Sequence, residues 1–80
     1  MADELRIPLR FHKADARILS RQADWCRSNG LDKASIALYE QAATAAREGE
    51  PLNVVCKARS EVEEMASMFA LLGIKRPAVG

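Results

Sequence analysis

The residues of this chain best suited to chemistry are its arginines, and the first two stand in a pattern. Arg6 and Arg10, with Pro8 between them, alternate with Leu5, Ile7, Leu9 and Phe11. A strict period of two marks a strand with one apolar face and one wet, basic face. Arginine carries a planar fork of donors that matches a phosphate, or the O6/N7 edge of guanine, bidentately. The chemistry open to this stretch is recognition of a polyanion. Catalytic groupings are scarce elsewhere. His12, the sole histidine, sits beside a basic run at a strand-to-helix junction, where an imidazole is ordinarily structural or solvated. Ser20, Ser28, Ser35, Ser60 and Ser67 lack a His/Asp pairing, a nucleophile elbow and oxyanion glycines. Phosphate-loop and dinucleotide patterns are absent. Cys26 and Cys56 stand far apart with no CxxC or His-rich neighbourhood, which suggests neither a zinc site nor a disulfide framework and fits a reducing compartment. Glu61, Glu63 and Glu64 read as the solvated face of a helix. No catalytic residue, metal or cofactor is expected.

Eighty residues make one domain, small enough that a monomeric core is marginal. Hydrophobic content of 49% with 29% charged residues describes a folded chain, one that gains by oligomerising. The net charge of +1 hides an asymmetry. Residues 5–30 hold Arg6, Arg10, Lys13, Arg17, Arg21 and Arg27 against Asp15 and Asp24, whereas residues 31–50 are net acidic. A partner meets that local field, not the total. The start, Met1-Ala2-Asp3-Glu4, is acidic and has no apolar signal core, and the longest apolar run, residues 68–72, is too short to span a membrane. A cytoplasmic protein with no membrane partner is expected.

These side chains need elements to position them. A lone strand cannot satisfy its own backbone, so residues 5–11 must pair, and the sequence offers a second copy of the same strand as partner. Everything after reads as helix. Ile18, Leu19, Ala23, Trp25 and Cys26 space a first helix over residues 12–29, with Trp25 expected in the core and Asn29-Gly30 ending it. Arg17, Arg21 and Arg27 read as solubilising residues on its outer side. Asp32 caps a second helix, with Leu31 closing on Ile36 as a hydrophobic staple, and Gly49 stops it. Val55, Ala58, Val62, Met65, Phe69 and Leu72 form a seam at steps of three and four, predicting a third helix over 51–73 that buries this seam against a partner or its own core. Residues 75–80 are expected to fray.

A DNA-binding mechanism follows. Two copies of residues 5–11, paired antiparallel, make a ribbon that fits the major groove. Arg6 and Arg10 would project into the groove, joined by Pro8 and Lys13. Leu31, Asp32 and Lys33, at the start of the second helix, would offer backbone N–H groups and a cation to a phosphate. Pro8 lacks an N–H, so Leu5, Ile7, Leu9 and Phe11 must carry the ladder between strands.

Here the chain resembles the ribbon-helix-helix repressors of Arc, Mnt and MetJ type. The likeness rests on Ile7-Pro8-Leu9-Arg10-Phe11 as ribbon, on Ile18, Leu19 and Ala23, on Asn29-Gly30 as turn, and on Ser35, Ile36, Tyr39 and Arg47-Glu48-Gly49. It implies a mainly α fold with one short N-terminal β-strand, built as an intertwined homodimer. Residues 1–49 would be the DNA-binding and dimerisation unit, residues 50–74 a C-terminal helix for oligomerisation or for holding a protein partner, and 75–80 a tail. Leu5, Ile7, Leu9, Phe11, Val55, Val62, Met65, Phe69 and Leu72 would hold the assembly. The implied function is a sequence-specific transcriptional repressor, or an antitoxin of phage or plasmid type, on double-stranded DNA. The chain departs from the family in a long first helix, in Leu31-Asp32-Lys33-Ala34 where Ser or Thr is usual, and in Pro8. The rival is a non-enzymatic helical interaction or assembly module, since residues 25–77 faintly resemble small-subunit phage terminases.

Overall fold

The period-two stretch does form a strand, β1 (Leu5–Arg10), but it finds its partners within the chain. The computed structural model describes residues 4–79; Met1, Ala2, Asp3 and Gly80, the first residues of the expected DNA-binding unit and the last of the expected tail, lie outside that range. A single turn of 3₁₀ helix (Lys13–Asp15) leads from β1 into α1 (Ala16–Ser28), followed by α2 (Lys33–Glu48). Next come β2 (Leu52–Cys56), α3 (Arg59–Ala70) and β3 (Ala78–Val79). The strands form an antiparallel sheet in the order β2-β1-β3. The chain is therefore mostly helical, with a small sheet.

Two expectations meet one strand here. Within the chain β2 lies along β1 where a second copy of the strand was expected: Arg6 pairs with Val55, Ile7 with Val54 and Leu9 with Leu52. The third helix does not start at residue 51, because residues 52–56 are that partner strand. Leu52, Val54 and Cys56 are buried while Asn53 and Val55 are exposed, the alternation of a half-buried strand. Two consecutive valines favour the pleated surface over a helix. Helix begins only after Ala58, whose backbone is still extended. The tail is a correction too: β3 lies along Leu9 and Arg10, and the Lys75 N–H donates to the Asp15 carboxylate at 3.2 Å. Pro8 stands opposite Asn53, and among the described residues β3 pairs only beyond it. A middle strand tolerates a missing donor where one flank is unpaired.

One face of the sheet is the floor of the core. Ile7 and Leu9 from β1 and Leu52, Val54 and Cys56 from β2 meet Leu19 of α1, Ala42, Ala43, Ala45 and Ala46 of α2, and Val62 and Phe69 of α3. Phe69 is fully buried and takes Phe11 and Tyr39 edge-to-face, with ring centroids 5.0 and 5.8 Å away. Each such side chain contributes about 1.5–3 kcal/mol on burial. Most residues assigned to an oligomeric interface are thus accounted for inside one chain. Val62 and Phe69 are core; Phe11, Met65 and Leu72 pack on its edge; only Leu5 and Val55 remain exposed. The boundary expected at residue 49 falls within this shared core.

Candidate nucleic-acid interface

The α1–α2 hairpin brings together cations that are far apart in the chain. Gly30 and Gly49 make it possible. Each sits at positive φ, 68° and 71°, just past a helix end, where any side chain would be strained. The following N–H groups close the ends: Leu31 donates to the Cys26 carbonyl and Glu50 to the Ala45 carbonyl, both at 3.0 Å. The turn between the helices is short, so α2 runs back along α1, and alanines 42, 43 and 46 let the two approach closely. The last turn of α2 therefore lies beside the first turns of α1.

An open groove of about 620 Å³ results, lined by Lys13, Ala14, Ala16, Arg17, Ile18, Ser20, Arg21 and Arg47. Arg17 and Arg21, four residues apart, are neighbours on one side of α1, and Lys13 precedes them by the same step in the 3₁₀ turn. Arg47 arrives from the last turn of α2. Among the described residues no carboxylate lines the groove. Among the described residues the ion pairs are Arg27 with Asp24 (2.9 Å), Arg27 with Glu40, and Arg76 with Glu63, so none involves these four cations. Like charges gathered along one groove repel one another. A polyanion laid in the groove relieves that repulsion.

The outer face of the sheet is a second basic surface. Arg6 and Arg10 are exposed on it, with Pro8 between them and Asn53, Val55 and Ala78 opposite. The expected phosphate anchor sits elsewhere. Leu31, Asp32 and Lys33 lie at the far end of the hairpin, and Lys33 is roughly 21 Å along α2 from Arg47 at 1.5 Å per residue. The Asp32 carboxylate accepts the Ser35 hydroxyl at 2.7 Å and adds negative charge at that helix start. Of the sequence-predicted site, Arg6, Pro8 and Arg10 share one face, Lys13 joins the groove, and residues 31–33 join neither. Arg17, Arg21 and Arg47 were missed. The four-residue spacing with Lys13 was the visible signal for the first two; Arg47 had none.

No protein-family model, curated protein or solved structure matches this chain. The functional reading therefore rests on its own geometry. Trp25, expected in the core, is 54% exposed on α1, four residues beyond Arg21. Among the described residues there is no cluster of three or more His, Cys, Asp or Glu side chains able to hold a metal ion, and no helix long and apolar enough to cross a membrane. Burial pushes the Cys56 thiol up, with the Glu61 carboxylate adding to it, and burial also raises the Tyr39 phenol, with Cys26 adding. Cys56 belongs to the core and Tyr39 packs on its edge; neither lines the groove.

Proposed function

We propose that this chain is a non-enzymatic nucleic-acid-binding domain that grips the phosphate backbone with Lys13, Arg17, Arg21 and Arg47. The observation that supports it is the groove itself: four cations and, among the described residues, no carboxylate in the lining and no ion pair to any of the four. Arg6 and Arg10 extend the basic surface on the outer sheet face. Reading of bases by a symmetric ribbon is not part of this proposal, since β1 is flanked by β2 and β3 within the chain.

The test is fluorescence anisotropy of a labelled oligonucleotide titrated with protein over a range of salt. Affinity should fall log-linearly with salt, and each single alanine variant of the four cations should shallow the slope by about 0.7–0.9. Binding that ignores salt, or that survives loss of all four cations, overturns the reading.

A second reading, the helical assembly module, draws on a different surface. Leu71 is 87% exposed at the end of α3 with Met68 exposed one turn before it. Leu71→Lys should abolish any self-association seen on sizing and leave oligonucleotide binding intact. A chain that is monomeric at all concentrations removes self-assembly as its function.

A further inference from the structure

We propose that the nucleic acid bound is single-stranded and that Trp25 stacks on one of its unpaired bases. This rests on the nucleic-acid reading above and deepens it.

Arg17, Arg21 and Trp25 follow at steps of four along α1, each turned about 40° from the one before, with Lys13 in the 3₁₀ turn ahead of them. The three on α1 span roughly 12 Å at 1.5 Å per residue. The core-facing stripe of α1 is Leu19, Ala23 and Cys26, so Trp25 is turned away from it and over half exposed. Trp25 lies outside the buried core, with 54% of its surface exposed.

An exposed ring continuing a cationic row is the arrangement that single strands require. Their backbone needs cations, and their splayed bases offer faces that stack on aromatic side chains whatever the sequence. A duplex hides those faces inside its own stack, so the indole would have nothing to meet. Base-edge readout is weakly provided for, because the one strand with outward arginines lies within a three-stranded sheet and not on a two-stranded ribbon.

The chain has a single tryptophan, so its intrinsic fluorescence reports this position alone. The experiment titrates the whole protein with an oligothymidylate and with a mixed-sequence duplex of equal length. Oligothymidylate should bind more tightly and quench Trp25. Trp25→Ala should weaken oligothymidylate about 5- to 150-fold, the equivalent of one stacked base, and leave duplex affinity unchanged. Trp25→Phe should recover most of the loss. Circular dichroism melts of both variants should lie close to wild type, because the side chain stands off the core-facing stripe of α1 and is over half exposed. Salt-dependent binding with duplex preferred and Trp25 unquenched overturns the proposal and leaves the phosphate-binding reading standing. Absence of salt-dependent binding to either probe overturns both. A fluorescence shift that follows protein concentration without nucleic acid, with self-association on sizing, assigns Trp25 to a contact between copies and overturns the proposal.

Discussion

Helix α2 borders two grooves of opposite character. On one side Arg47 joins Lys13, Arg17 and Arg21 in a lining whose charged side chains, among the described residues, are all cations. On the other, Glu40 and Glu48 join Glu50, Gln41, Thr44 and Asn53 in a groove of about 540 Å³ with no cation in its lining. Neighbouring residues, Arg47 and Glu48, thus serve opposite fields. At 0.15 M salt these fields fade over about 8 Å, so each groove presents its own sign to whatever docks there. A net charge of +1 describes neither surface. A phosphate backbone entering the first groove would be repelled by the second, which gives the bound strand a direction to avoid as well as one to take.

The difference between the grooves depends on a core that both share, and removing that core is the harshest way to break it. Phe69→Ala should cost about 3–5 kcal/mol, a large part of the 5–15 kcal/mol typical of a small domain. Denaturant titration followed by circular dichroism should show it, and both surfaces should be lost together. A change confined to the cationic groove comes next. Arg17→Glu with Arg21→Glu should reduce oligonucleotide affinity roughly 100-fold at low salt, reversing two charges that each neutralise a phosphate. The melting temperature should move little, since both residues sit at the surface. The mirror experiment, Glu40→Lys with Glu48→Lys, should leave affinity equal or slightly improved. If the two double variants behave alike, binding follows net charge and the grooves are not distinct.

What could be read in advance, and what could not, follows from how many patterns each stretch satisfies. β1 satisfied one. Its alternation placed Ile7 and Leu9 in the core and left Arg6 and Arg10 outside. The ends of α1 and α2 were equally legible from Asn29-Gly30, Asp32 and Gly49. Residues 52–56 satisfied two patterns, because Val55 fits a seam of three and four with Ala58 and Val62 as well as the alternation of Leu52, Val54 and Cys56. The strand prevailed because β1 needed an edge to pair with, a demand that lies outside the local sequence. On α1, Ile18 with Trp25 and Leu19 with Cys26 are parallel stripes of equal spacing. The smaller residues won the inside, since close packing on the alanines of α2 has no room for an indole. Sequence hydrophobicity ranks these stripes the other way. That is why Trp25 was misplaced and why the row it completes went unseen.

Gly49 joins the two regions, carrying the chain from the end of α2 into β2 beneath the acidic groove. Its φ of 71° is open to glycine at no cost, and nothing lies within 4 Å of where a Cβ would be built. Gly49→Ala should therefore cost only the backbone penalty, about 1–2 kcal/mol, visible as a lower denaturant midpoint with unchanged slope. Since Arg47 and Glu48 lie within two residues of it, a rotation of this turn would also shift oligonucleotide affinity. An unchanged affinity would show that the groove is set by α1 alone.

The mildest test uses pH and leaves the grooves intact. Cys56 in the core and Tyr39 at its edge both have acid dissociation pushed upward, mainly by burial. Each is neutral when protonated, so a raised folded value means that the folded state holds its proton more tightly than the unfolded chain does. The resulting stability is fully present below the unfolded values, near 9 for the thiol and 10 for the phenol. It is lost as pH rises through the folded ones. Denaturant midpoints should hold steady from pH 7 to the thiol's unfolded value and decline above it. Cys56→Ala should lower stability slightly throughout, through a small cavity, while flattening the first part of that decline. Tyr39→Phe should flatten the later part. Neither acid lines the cationic groove, so oligonucleotide binding by the folded fraction should persist while stability falls. Binding lost before stability would tie the site to one of these two buried acids and dissolve the separation between core and groove on which the comparison depends.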